Sequence, residues 1–220
     1  MSKYIIHSCP ERMLYVNNYL IPSIRNQGID DVSAWCDWNH VGCLHSCMNN
    51  FMRMNDEGGT WHLQDDVIVS RNFKSRTEEL EGSKIVCGFV WKLDENLSHE
   101  GLVTPENMWW SFPCIYIPNR YAWECARWFY KKASDNDKYK TWIRTKKFDD
   151  SVFREFMVLN YPTAEVLNLK PCLVDHIDYL IGGSVVNNNR QERNVRAVWF
   201  DSLDLVDELE ERLKSDAVSK

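Results

Sequence analysis

The chain has 220 residues, 44% of them hydrophobic and 26% charged, with a net charge of −6. That length gives one domain a sizeable core and leaves two cramped, the composition excludes general disorder, and the acidic balance argues against a protein whose main task is coating duplex DNA. No apolar run reaches the length of a membrane span and "MSKYIIHSCPERM" has no signal-peptide pattern, so a cytoplasmic protein with its eight cysteines as thiols is expected.

In chain order, "KYIIHSC" reads as a first strand and "RMLYVNNYLIPSIRNQG" as a helix kinked at Pro22 and ended by Gly28. "DVSAWCD" is a second strand, "GCLHSCMNNFMRM" a second helix and "NDEGG" a turn. "GTWHLQDDVIVS" follows, alternating apolar and polar at Trp61 and Leu63 and continuing as strand through Val67–Val69 without a break. "SKIVCGFVW" is a further strand, "NLSHEGLVTPEN" a polar loop, "SFPCIYIP" extended and "YAWECARWFYKKA" helical. "DDSVFREFMVLN" is a helix, "AEVLNL" a short strand, and "DELEERL" an amphipathic C-terminal helix. Alternating strands and helices predict an α/β protein with parallel strands, whose ligands sit at the carboxyl ends of those strands. Residues 7 to 12, Asp37 and the Asp65–Asp66 pair then lie along one edge.

Asp65 and Asp66 interrupt an apolar run, where each carboxylate has to leave water. An uncompensated buried carboxylate costs several kcal/mol, so a cation or donors must offset it. The plain alternative is a turn. A hard divalent cation, Mn²⁺ or Mg²⁺, prefers carboxylate oxygens and shares them with phosphates. A second group stands in "LKPCLVDHIDYLIGGS", with Asp175, His176 and Asp178. A third is "KKFDDSVFREF", where Asp149 or Asp150 precedes a helix and an N-cap is the plain reading. "CDWNHVGCLHSC" gathers Cys36, His40, Cys43, His45 and Cys47, but the spacing matches none of the usual zinc patterns, and buried helical thiols are the preferred reading.

In this order the motifs resemble those of the small GT-A glycosyltransferases, and more loosely those of short glycosyltransferases of phage and prophage genomes. "WHLQDDVIV" looks like their strand ending in a D-x-D-type motif, "FDDSVFREF" like their later acidic motif, and "PCLVDHIDYLIGGS" like the segment carrying a late metal-binding histidine. "HSCPERMLYVNNYLIPSI" is similar to their first nucleotide-holding strand and helix. Gln64 stands where many members carry an acid. The resemblance implies a single-domain GT-A-like (Rossmann-like) fold with a mixed, mostly parallel sheet flanked by helices. Its nucleotide-sugar-binding half spans about residues 1–105 and its acceptor and catalytic half about 106–200, with a C-terminal helix over 201–220.

It implies a donor nucleotide sugar, expected to be a UDP-sugar, and a cation held by Asp66 and His176. Asp65 would reach the metal through water or contact the ribose. Cys9 and Arg12 would lie against the donor, Arg12 on ribose or phosphate, and Asp37 would accept a hydrogen bond from the base. Asp175 would add charge or hold the histidine ring. If the reaction inverts, Asp150 is the expected general base, with Asp149 its rival.

The acceptor is read from "NMWWSFPCIYIPNRYAWECARWFY", which holds nine aromatics. Trp109 and Trp110 point to opposite faces of an extended segment, and an exposed indole stacks on a sugar or a base. From Arg120 to Lys147 nine Lys or Arg face only Glu124, Asp135 and Asp137. Together with this charge segregation, the resemblance to phage glycosyltransferases implies a hydroxymethylated pyrimidine in phage DNA as the expected acceptor, with a carbohydrate as the alternative. Two other classes stay open: a metal-dependent phosphoesterase or nuclease, which needs more acids in the cleft, and a binding module, which would ignore chelators.

Overall fold

The computed structural model describes residues 3–54, 57–82, 84–89, 100–108, 112–133, 135–145, 149–183, 197 and 199–218. Its centre is a seven-stranded sheet in the order β2-β1-β3-β7-β5-β8-β6. The strands are β1 (Tyr4–Ser8), β2 (Val32–Cys36), β3 (Gly59–Gln64), β5 (Ile85–Cys87), β6 (Gly101–Val103), β7 (Cys114–Pro118) and β8 (Val166–Asn168). β1 pairs in parallel with β2 and β3, and β5 with β8, whereas β7 and β6 run antiparallel to their neighbours. The sheet is thus mixed and mostly parallel, flanked by helices, in keeping with a Rossmann-like α/β fold. Strands from the two expected halves interleave: β7 lies between β3 and β5.

Alternation along each strand divides the core in two. On one side Ile5, Ile85, Ile115 and Ile117 pack with helices α3 (Cys43–Phe51), α5 (Asn119–Ala133) and α7 (Asp149–Asn160). On the other, Tyr4, Ile6, Trp61, Leu63 and Tyr116 meet the first helical segment, α4 (Phe73–Leu80) and α8 (Leu203–Val218). The first segment runs as α1 (Met13–Tyr15), a wide π turn (Val16–Leu20) and α2 (Ile21–Arg25). Pro22 lies just beyond the widened turn, which relieves the clash of its ring with the preceding carbonyl. No described helix is long and apolar enough to cross a membrane.

The quoted aspartate stretch folds differently from the unbroken strand expected. β3 ends at Gln64, Asp65–Asp66 form a turn, and β4 (Val67–Val69) leaves the main sheet to pair with β9 (Val174–His176) in a second, antiparallel sheet. The reason is non-local. The backbone of β4 finds its partners on β9, with Ile177 N–H donating to the Asp66 carbonyl at 2.8 Å. The helices α4 and α6 (Asp137–Thr145) were not expected, because each buries very few side chains: Phe73 and Thr77 in one, Tyr139 in the other.

Candidate functional site

β4–β9 pairing sets Val67 opposite His176 and so brings Asp66 against the histidine. His176 Nε2 lies 3.1 Å from Asp66 Oδ1, and its Nδ1 lies 3.3 Å from Asp178 Oδ1. These side chains are largely buried, Asp178 at 5% and His176 at 10% exposure. Asp66 Oδ1, His176 Nδ1 and Asp178 Oδ1 nevertheless have no well-aligned hydrogen-bond partner. The three groups form a buried chain of ion pairs, carboxylate to imidazole to carboxylate. Burial works against a charged His176, but Asp66 and Asp178 outweigh it and raise the ring to about 10. Burial likewise disfavours the Asp66 carboxylate, and the facing His176 reverses the balance and holds it below its ordinary range.

The ring's neighbour is Asp178, not Asp175. Asp175 is fully buried, and its Oδ1 accepts the backbone N–H groups of His176 at 2.9 Å and Ala197 at 2.7 Å. It therefore fixes the backbone of β9 and leaves the ring to Asp178. β9 ends at His176, and the 3-10 turn Asp178–Leu180 that follows it brings Asp178 to the ring.

The rest of the turn is held by the loop after β1. Cys9 N–H, at the start of the short 3-10 turn Pro10–Arg12, donates to Asp65 Oδ2 at 3.1 Å. Burial and the charge of Asp66 raise Asp65 to about 7, opposed by the Cys9 amide and by Ser8 and Arg12 nearby. The Cys9 thiol, pushed up to about 12 by burial and by Asp65, stays protonated, so Cys9 contributes its amide to the turn. Arg12 is buried and donates to the carbonyls of Ile181 and Gly183, anchoring the segment that follows His176 beside the Asp65–Asp66 turn. Tyr15 O–H donates to the Val67 carbonyl at 2.8 Å, and its hydroxyl is held well above the usual range by burial and by the two aspartates.

Asp37 closes the loop after β2. Its two oxygens accept the N–H groups of Val41 at 2.9 Å and Gly42 at 2.7 Å, and Gly42 takes φ +97° to start α3. Asp149 and Asp150 open α7 beside Cys43, the first residue of α3. That placement puts them at the same carboxyl edge of the parallel strands, on the α3 side. Burial raises both, and with the Asp149 charge alongside, Asp150 reaches about 7. Trp109 and Trp110 lie outside the described residues.

Among the described residues no group of three or more His, Cys, Asp or Glu is arranged to hold a metal, and this applies to the Cys36–Cys47 cluster, where burial keeps Cys43 and Cys47 as thiols. Asp66 and His176 offer two ligands. Two adjacent ligands of an octahedral Mg²⁺-sized ion stand about 3.0 Å apart, from bond lengths of about 2.1 Å. The Asp66–His176 separation suits that edge, but a ring raised to about 10 carries its proton at neutral pH, so a cation would have to displace that proton from Nε2, with further ligands from a diphosphate and water. Sequence reasoning also missed the stacked pair His7–His62, whose Nε2 and Nδ1 atoms lie 2.9 Å apart and which burial keeps neutral, His7 near 4. No protein family, no curated protein and no solved structure matches the chain.

Proposed function

We propose that the protein is a metal-dependent glycosyltransferase of GT-A type, moving a sugar from a nucleotide-sugar donor, expected to be a UDP-sugar, to an acceptor hydroxyl. One observation carries the reading. Asp66 and His176, far apart in sequence, form an ion pair with Oδ1 and Nε2 3.1 Å apart at the carboxyl edge of a mixed α/β sheet. A carboxylate–imidazole edge beside a strand terminus suits a divalent cation shared with a diphosphate.

Asp66 and His176 would hold Mn²⁺ or Mg²⁺, which when bound offsets the negative charge that grows on the departing nucleotide. Asp178 orients the His176 ring from its far nitrogen. Asp65, fixed by the Cys9 amide, would face the donor ribose, and Arg12 holds the Ile181–Gly183 segment that follows His176. The loop shaped by Asp37 borders the base. Asp150, raised by burial and by Asp149 to about 7, suits proton removal from the acceptor hydroxyl near neutral pH.

The test is nucleotide release from a panel of UDP-sugars. Release should require Mn²⁺, stop in chelator, and fall on the order of a hundredfold or more in Asp66→Asn of unchanged circular dichroism. Release that persists in chelator, or that ignores Asp66→Asn, would remove the proposal.

A further inference from the structure

A cleft of about 520 Å³ lies between the end of α3 and the outer face of α5, lined by Met52, Trp123, Arg127, Trp128, Tyr130 and Lys131, together with Glu124. It shares no residue with the Asp66–His176 turn. Trp123, Arg127 and Lys131 follow at four-residue spacing and so form one stripe. The Arg127 guanidinium lies 4.4 Å over the Trp123 ring and makes no ion pair among the described residues. The Glu124 carboxylate accepts the Tyr161 hydroxyl. α6 extends the surface: Tyr139 packs 5.4 Å from Trp128, and Lys138 Nζ sits 4.7 Å over Trp142. At the other end, the Tyr130 ring stands 6.4 Å from that of His45 on the first turn of α3, close to where Asp149 and Asp150 flank Cys43.

The charge is segregated as well. Residues 120–147 hold nine Lys or Arg and three acids within a chain of net −6, so the stretch stays positive although Lys138 pairs with Glu155 and Lys140 with Asp137. Cations interleaved with half-buried indoles match a ligand that alternates phosphates with flat rings. A duplex offers the charge but keeps its base faces stacked. A neutral glycan offers rings but leaves the charge unused.

We infer that the α5–α6 face binds single-stranded nucleic acid, with bases on Trp123 and Trp128 and phosphates on Arg127, Lys131 and their neighbours. This extends the transferase reading by naming what carries the acceptor hydroxyl, and it rests on that reading only for the chemistry that follows binding.

The test is fluorescence anisotropy of the full chain with a labelled oligothymidine of about 15 nucleotides, without donor or metal. Binding should weaken with salt, with a log–log slope near −0.7 per phosphate contacted. The same length of duplex should bind more weakly, and Trp123→Ala and Arg127→Glu should each weaken the single strand about tenfold with unchanged circular dichroism. Absence of binding at low salt, indifference to Arg127→Glu, or equal binding of duplex or heparin would overturn the inference. So would tighter binding of polyglutamate, which would assign the face to an acidic protein. Mn²⁺-dependent nucleotide release without DNA reads the transferase separately: if release survives and strand binding fails, only this inference falls, and the converse removes only the transferase.

Discussion

Asp66, His176 and Asp178 show what a residue list conveys and where it stops. Asp66 and His176 stand out by type, because a carboxylate within an apolar run and an imidazole after "CLV" each need a partner. The choice between Asp175 and Asp178 needed the folded chain: Asp175 lies within β9 and accepts backbone amides, and the 3-10 turn after the strand brings Asp178 to the ring. Asp178→Asn should therefore lower Mn²⁺ affinity about ten- to a hundredfold, read by electron paramagnetic resonance, with the melting temperature in chelator little changed. Unchanged affinity would deny Asp178 its positioning role. Asp150 gives a pH prediction. Its folded value near 7 exceeds the unfolded carboxylate value, so the folded state binds its proton more tightly, and stability is lost as pH rises from about 4 through 7. Asp150→Asn should remove that loss, gaining on the order of 1 kcal/mol at pH 8 relative to pH 4 once solvent screening at the half-buried helix start is allowed for. Urea unfolding at both pH values measures it; an equal effect at the two would contradict the assignment.

At the scale of elements, helices with a full apolar stripe and strands with clear alternation are legible, and α7 begins and ends where its sequence suggests. The β3–β4 break is not, because Val67–Val69 reads the same whether it continues one sheet or joins another. Only pairing with β9, a segment remote in sequence, decides it. α4 and α6 stayed hidden because their few buried residues supply no stripe. Two elements can be tested directly. Phe153 is fully buried in α7, with its ring 6.0 Å from Phe51 and 5.6 Å from Phe112, so Phe153→Ala should cost about 3–5 kcal/mol by urea unfolding. Arg12→Met should leave the Ile181 and Gly183 carbonyls without their donor and cost about 1–3 kcal/mol, and it should also loosen the segment after His176, read as faster amide exchange there. A stability change below about 0.5 kcal/mol for either would contradict its assigned packing or anchoring role.

Across the whole molecule, the alternation of strands and helices pointed to parallel strands, and β1, β2 and β3 run that way. The insertion of antiparallel β7 between β3 and β5 has no local signature, since strand order depends on how distant faces pack. What this order achieves is convergence. The ends of β1, β2 and β3, the start of α7 and the detached β4–β9 pair bring their polar residues to one edge, while the positive α5–α6 surface flanks the α3 side. The most direct measurement is a thermal melt of the wild type, Asp66→Asn and His176→Gln in Mn²⁺ with UDP and in chelator. Joint holding of a cation predicts that Mn²⁺ with UDP raises the wild-type melting temperature by several degrees and moves neither variant. Equal melting of the wild type in both conditions, or a full shift retained by either variant, would contradict it.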